Sequence, residues 1–70
     1  MIYSIRLASY GVHEDKKYTA SIEECQGCVS DYVNQNNVTA NNWTGGEVFD
    51  GLGNLIGKIT YNGIFKTMDE

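Results

Sequence analysis

The stretch that decides the fold is SIEECQGCVSDYVNQNN, residues 21–37. Its apolar side chains recur at intervals of three and four residues, which predicts an α-helix with one apolar stripe. Ser21 and Glu24 have the spacing of a capping box and would begin this helix, and the asparagine run at 34–37 favours the left-handed turn that ends one. The predicted stripe consists of Ile22, Cys25, Val29, Tyr32 and Val33. Such a helix needs one apolar surface to pack against.

Strand patterns on both sides of the helix predict that surface. Residues 2–10, IYSIRLASY, place Tyr3, Ile5 and Leu7 on one face with the period of two of a half-buried strand. Asn62-Gly63 is a strong hairpin signal, because a type I′ turn needs positive φ at both central positions. The predicted elements besides the helix are strands at 2–10, 17–21, 47–50, 55–61 and 64–68, polar turns at 11–16 and 51–54, and a polar loop at 38–46.

The element order ββαβββ predicts a small two-layer α+β domain, with one helix packed across one face of an antiparallel sheet. A chain of 70 residues forms one domain, residues 1–70. The other face of the sheet stays in water or meets a partner. The predicted core residues are Tyr3, Ile5, Leu7, Val48, Ile56, Ile59 and Phe65 from the strands and Ile22, Cys25, Val29 and Val33 from the helix. Because so small a core is thin, a homodimer is a further hypothesis.

The charge distribution is uneven. The chain has a net charge of −4, and the 40 residues from Tyr18 to Gly57 contain five acids and no Lys, Arg or His. Proteins that follow a nucleic-acid backbone need clustered basic residues, and the five Lys and Arg here are scattered along the sequence, so we expect no direct contact with nucleic acid. An acidic face suits the basic surface of a host protein.

The residues predicted to bind such a partner lie in the acidic middle of the chain. They are Glu23, Glu24, Asp31, Trp43, Glu47 and Asp50. Tryptophan dominates binding hot spots, and Trp43 is flanked by polar residues in a loop, so it either fills the edge of the core or contacts the partner. Charge reversal at the three helical acids would weaken the predicted binding.

The pair Cys25 and Cys28 has the C-x-x-C spacing of redox helices, where a low thiol pKa is needed. Cys25 belongs to the apolar stripe, and no parallel βαβ pattern precedes the pair. His13 is the only histidine that could act with the cysteines. We therefore expect no metal, no cofactor, no catalytic residue and no enzymatic activity. Two alternatives stay open: a redox or metal-binding domain that uses Cys25 and Cys28, and a self-associating structural protein.

In general character the chain resembles the small acidic proteins that phages and mobile elements encode, of which the anti-CRISPR proteins are the best-known class. The resemblance rests on length, acidity, the order ββαβββ, and the glycine-punctuated segment Gly45–Phe65 with its core GNLIGKITYNG. It covers most of the chain and carries over no functional residue. It implies a non-enzymatic inhibitor that occludes a basic surface of a host protein. Because no apolar run approaches roughly 18 residues and no signal peptide is present, we expect a complete cytoplasmic chain with no membrane partner.

Overall fold

The helix α1 spans Ile22–Asn36 in the computed structural model, which describes residues 2–68. The hydroxyl of Ser21 accepts a hydrogen bond from the backbone N–H of Glu24 at 3.1 Å, so the predicted cap begins the helix. Asn37 adopts the left-handed conformation, φ 52°, and its N–H donates to the carbonyl of Val33. Both ends of α1 are therefore determined by side chains that the sequence makes recognisable.

Five strands form one antiparallel sheet. The strands are β1 (Tyr3–Ser9), β2 (Val12–Thr19), β3 (Glu47–Phe49), β4 (Leu55–Ile59) and β5 (Phe65–Thr67). Their order across the sheet is β2-β1-β3-β4-β5, and α1 packs mainly on β1 and β2. The predicted α+β fold, with order ββαβββ and one helix on an antiparallel sheet, is confirmed.

The predicted polar turn at 11–16 is wrong. The turn contains only Tyr10 and Gly11, and β2 begins at Val12. β2 is an edge strand whose side chains from His13 to Tyr18 are all exposed, so it shows no alternation of apolar and polar residues. A strand without a buried face carries no hydrophobic periodicity, and its polar sequence is typical of a turn.

The core lies between α1 and the sheet. The buried residues that form one hydrophobic cluster are Ile5, Leu7, Cys25, Val29, Tyr32, Val38, Val48 and Ile59. The other predicted core residues pack against this cluster and are half-buried: Tyr3, Ile22, Val33, Ile56 and Phe65. Tyr32 is more buried than the neighbouring Val33, and Val38 enters the core from the loop where no core residue was predicted.

Two adjacent glycines join the sheet to the loop that precedes β3. The N–H of Gly46 donates to the carbonyl of Arg6 at 2.7 Å, and the carbonyl of Gly46 accepts from Ile59 at 2.8 Å. A β-carbon at Gly45 would lie 2.5 Å from the backbone nitrogen of Ala8, and one at Gly46 would overlap the carbonyl oxygen of Ile59. Only glycine allows the chain to pass between β1 and β4 this closely.

The second face of the sheet bears no helix among residues 2–68. Side chains alternate along β1, so Ser4 and Arg6 point to this open face while Ile5 and Leu7 point to α1. Within the described part of the chain, α1 is neither long nor apolar enough to cross a membrane.

Candidate functional site

The three helical acids of the predicted site are exposed on α1. Glu23 and Glu24 lie in the first turn, and Asp31 lies two turns later. Glu24 and Asp31 are seven residues apart and so share one side of the helix, with Gly27 between them. We call Glu23, Glu24 and Asp31 the acidic helix face.

Trp43 is half-buried and anchors the loop after α1. Its ring packs edge-on against Tyr32, with ring centroids 6.0 Å apart, and its Nε1–H donates to the carbonyl oxygen of Ile59 at 3.3 Å. Its backbone forms an isolated bridge with Ser9. The indole thus covers the end of the core, which matches the first of the two roles considered for it, and its remaining exposed edge faces a groove.

That groove has a volume of about 590 Å³ and lies between the loop and the last two strands. Its lining includes Ala40, Trp43, Lys58, Tyr61, Lys66 and Met68. Two of these side chains are cationic and the others are largely apolar. The groove is therefore a shallow amphipathic surface next to the open face of the sheet.

Glu47 and Asp50 already have partners within the protein. Both carboxylate oxygens of Glu47 accept from the guanidinium Nη1 of Arg6 at 3.0 Å, and Arg6 Nε also donates to Glu14 at 2.5 Å. These hydrogen bonds, with Glu14 first and Glu47 second, raise the pKa of Arg6, which stays charged. Glu47 lies on β3 and Asp50 in the turn that follows it, so neither residue belongs to the acidic helix face.

Asp50 organises the turn between β3 and β4. One carboxylate oxygen accepts from the backbone N–H of Leu52 at 2.9 Å and from that of Asn54 at 3.0 Å. The hydrogen bond from the backbone of Asn54 is the largest of the effects that hold the pKa of Asp50 below its ordinary value. The sequence position of Asp50 in a turn before Gly51 and Gly53 is the signal for this capping role.

The two cysteines lie on the inner side of α1. Cys25 is fully buried, with its sulfur 3.0 Å from the hydroxyl of Thr19, and Cys28 is half-buried. Burial, and next the neighbouring Cys25, raise the pKa of the Cys28 thiol. A reactive thiol needs a lowered pKa, so this environment is the opposite of a redox site. Among residues 2–68, no three His, Cys, Asp or Glu side chains lie together as a metal site.

The basic residues, which appear scattered in the sequence, come together on the open face of the sheet. Arg6 is opposite Lys16, and its guanidinium bridges to Glu47 on the next strand. Glu47 is opposite Lys58, and Lys58 is opposite Lys66. Opposed residues share a face, so one row crosses all five strands. We call this row the charged row; it consists of Lys16, Arg6, Glu47, Lys58 and Lys66.

A second row of side chains runs beside the charged row. Ser4 is opposite Tyr18 on one side and opposite Phe49 on the other. The ammonium of Lys16 lies 5.7 Å from the ring centroid of Tyr18 and 5.8 Å from that of Phe49. We call Tyr18, Ser4 and Phe49 the aromatic row. Sequence reasoning missed both rows because they depend on strand register, which the short strands β3 and β5 do not specify.

Comparisons of this chain with protein-family models, with curated proteins and with solved structures find no match. The functional argument therefore depends on the geometry and charge of its own residues.

Proposed function

We propose that the protein is a non-catalytic binding module that attaches to a basic surface of a host protein through the acidic helix face and blocks that surface. The observation that carries this proposal is the separation of charge: the acidic helix face is on one side of the molecule, and the charged row is on the other. Complementary charge selects partners and speeds their encounter.

The carboxylates of the acidic helix face are not used inside the protein. The ion pairs among residues 2–68 are Arg6–Glu14, Arg6–Glu47 and Lys17–Asp15. None of them includes Glu23, Glu24 or Asp31, and α1 itself contains no basic residue. These three charges are therefore available to a partner.

Gly27 makes the same face flat. A β-carbon at this position would meet no atom within 4 Å, and the residue is exposed, so the packing of α1 on the sheet does not require glycine here. Glycine in mid-helix costs about 1 kcal/mol relative to alanine. A partner whose backbone approaches α1 closely at Gly27 would explain why a glycine that lowers the stability of the helix is present there.

An inhibitor encoded by a phage or mobile element, of the anti-CRISPR-like kind, fits this description. Occlusion needs only a rigid surface of the right charge, and α1 is held at both ends by side-chain caps. Of the six residues first predicted to bind the partner, the proposal retains the acidic helix face. Trp43, Glu47 and Asp50 support the fold, and the exposed edge of Trp43 faces the groove beside the open face of the sheet.

The test compares two variants whose charge changes are equal in size and opposite in sign, from −4 to −1 and from −4 to −7. The helix variant is Glu23→Gln with Glu24→Gln and Asp31→Asn, which keeps side-chain size and removes charge. The control is the variant Lys16→Gln with Lys58→Gln and Lys66→Gln, on the opposite face. Tagged forms of both and of the wild-type protein are incubated with bacterial lysate at low and at moderate salt, and captured proteins are quantified by mass spectrometry.

We expect one stoichiometric basic partner that the wild-type protein and the control capture and the helix variant loses. Binding of the purified partner would then weaken with salt, as expected for an exposed charged interface. Capture of the same proteins by the helix variant would contradict the proposal. Thermal melts of all three forms establish that each is folded.

The alternative of a self-associating protein has one supporting observation. β5 is a three-residue edge strand, and within residues 2–68 only β4 pairs with it. An open strand edge can pair with a second copy. Light scattering distinguishes the two functions, because a concentration-dependent dimer would favour self-association and a monomer would exclude it.

A further inference from the structure

The open face of the sheet carries a second binding surface with a different chemistry. The charged row contains four cations and one carboxylate. Arg6 is already bound by Glu47 within the row and by Glu14 beside it, so the cations of the row that form no ion pair among residues 2–68 are Lys16, Lys58 and Lys66. Four of the five Lys and Arg residues of the chain are in this row. At the usual strand spacing, the row is about 19 Å long from β2 to β5.

One pair of opposed residues in the charged row lowers the stability of the fold. Lys58 and Lys66 are directly opposed on neighbouring strands, and like charges in this position are destabilising. Both side chains are exposed, and no carboxylate within residues 2–68 forms an ion pair with either. A bound anion between the two ammonium groups would remove the repulsion.

The aromatic row supplies the other half of the surface. The side chain of Tyr18 is 70% exposed, which is unusual for an aromatic residue inside a strand. Phe49 is half-exposed on the same face, two strands away. Both rings lie beside the charged row, with Lys16 over each of them. The face therefore presents cations along one line and flat rings along a parallel line.

We infer that this open face binds single-stranded nucleic acid. A single strand has a line of phosphates and a parallel line of unpaired bases, and proteins that bind it combine a basic track with aromatic rings on which bases stack. The phosphates would follow the charged row, and bases would stack on Tyr18 and Phe49. This inference replaces the expectation of no nucleic-acid contact, because the basic residues scattered in the sequence are adjacent in space.

The two rows favour a single strand over two other polyanions. A duplex keeps its bases paired and stacked internally, so the exposed rings would have no partner. An acidic protein surface would neutralise the charged row, but it would not need two exposed rings beside it. The groove between the loop after α1 and the last two strands also has Lys58 and Lys66 in its lining, so it adjoins the charged row and gives room for further nucleotides.

The experiment measures fluorescence anisotropy of a labelled oligothymidylate of about twelve nucleotides, within the usual site sizes of such domains. Titrations at several salt concentrations give both the affinity and its salt dependence. Lys58→Gln and Lys66→Gln, made singly, test the charged row, with Lys17→Gln as the matched control on the helix side of the sheet. Tyr18→Ala tests stacking, with Tyr10→Ala as its control, because Tyr10 is 71% exposed but lies in the hairpin turn.

We expect Lys58→Gln and Lys66→Gln each to weaken binding and to reduce the slope of log affinity against log salt by about 0.7. Tyr18→Ala should weaken binding about fivefold or more. Lys17→Gln and Tyr10→Ala should bind as the wild-type protein does. Duplex of the same sequence and polyglutamate of the same charge should compete poorly.

Three results would overturn the inference. The first is an absence of binding by the wild-type protein at low salt. The second is equal competition by polyglutamate with no effect of Tyr18→Ala, which would identify an acidic protein as the occupant. The third is equal loss of affinity in Lys17→Gln and Lys58→Gln, which would show that net charge rather than the charged row determines binding.

Discussion

Gly27 lies in the middle of α1 with its α-carbon open to solvent. Alanine is favoured over glycine in a helix by about 1 kcal/mol, because glycine loses more backbone entropy on folding. We expect Gly27→Ala to raise Tm by about 4–8 °C, the shift that 1 kcal/mol produces in a domain of this size. Thermal melts followed by circular dichroism measure it. If the acidic helix face binds a partner closely at Gly27, the same substitution weakens that binding.

The substitution Gly46→Ala is the comparison for Gly27→Ala, because the fold requires glycine at position 46 and does not require it at position 27. Its φ is 103°, and the added β-carbon would overlap the carbonyl oxygen of Ile59. We expect this variant to lose most of its cooperative transition in the same melts. A Tm for Gly27→Ala at or below the wild-type value would contradict the assignment of Gly27 to the outer surface.

Asp50 makes stability depend on pH. Hydrogen bonds from the backbone of Asn54 and Leu52 hold its pKa below the ordinary value of 3.8. A carboxylate with a lowered pKa in the folded state stabilises the protein above its unfolded pKa, and this contribution is lost as pH falls through the folded pKa. Asp50→Asn keeps an acceptor oxygen but has no charge to lose.

We therefore expect wild-type protein to be more stable than Asp50→Asn at about pH 6. The difference should shrink at about pH 2, because Asp50 is protonated there in the unfolded chain and the contribution of its charge decreases as pH falls. Urea unfolding at the two pH values gives the difference in free energy of unfolding. A difference that is the same at both would mean that the turn depends on shape and not on the charge of Asp50.

At the scale of elements, the opposed lysines of β4 and β5 lower the stability of the fold and are also proposed to bind the nucleic acid. Lys66→Glu would place a carboxylate opposite Lys58 and replace a repulsive pair by an attractive one, worth about 0.2–1 kcal/mol. We expect this variant to melt at a higher temperature and to bind the oligothymidylate less tightly. Thermal melts and anisotropy on the same preparations measure both effects. A variant that is both less stable and weaker in binding would indicate damage to β5 rather than removal of a repulsion.

The individual elements also show which parts of the fold can be predicted from the sequence and which cannot. α1 was predicted from its stripe and caps because each signal is local, lying within about four residues. β2 was predicted only from residue 17 onward, because its first part has exposed side chains and no buried face to produce a pattern. The charged row was missed for a different reason. Its members are separated by up to 60 positions in the sequence, from Arg6 to Lys66, and only the register of four strand pairs places them side by side.

At the scale of the whole molecule, two surfaces of opposite charge are separated by one thin domain. The described residues measure 30 × 23 × 17 Å, and the helix and sheet layers are stacked with the acidic helix face on one side and the charged row on the other. Each surface therefore lies within the electric field of the other. Whether one surface affects binding at the other depends on how far that field reaches through solvent.

Salt sets this reach, and it leads to a prediction for the intact protein. The Debye length is about 30 Å at 0.01 M salt and about 8 Å at 0.15 M. The variant Glu23→Gln with Glu24→Gln and Asp31→Asn changes the net charge from −4 to −1. At 0.01 M salt the lost carboxylates would have repelled phosphates across the domain, so we expect this variant to bind the oligothymidylate several-fold more tightly than the wild-type protein. At 0.15 M the field is screened and the two affinities should agree. The anisotropy titration measures both. An advantage that persists at 0.15 M would mean that the nucleic acid touches α1 itself, and the two surfaces would then compete for one ligand.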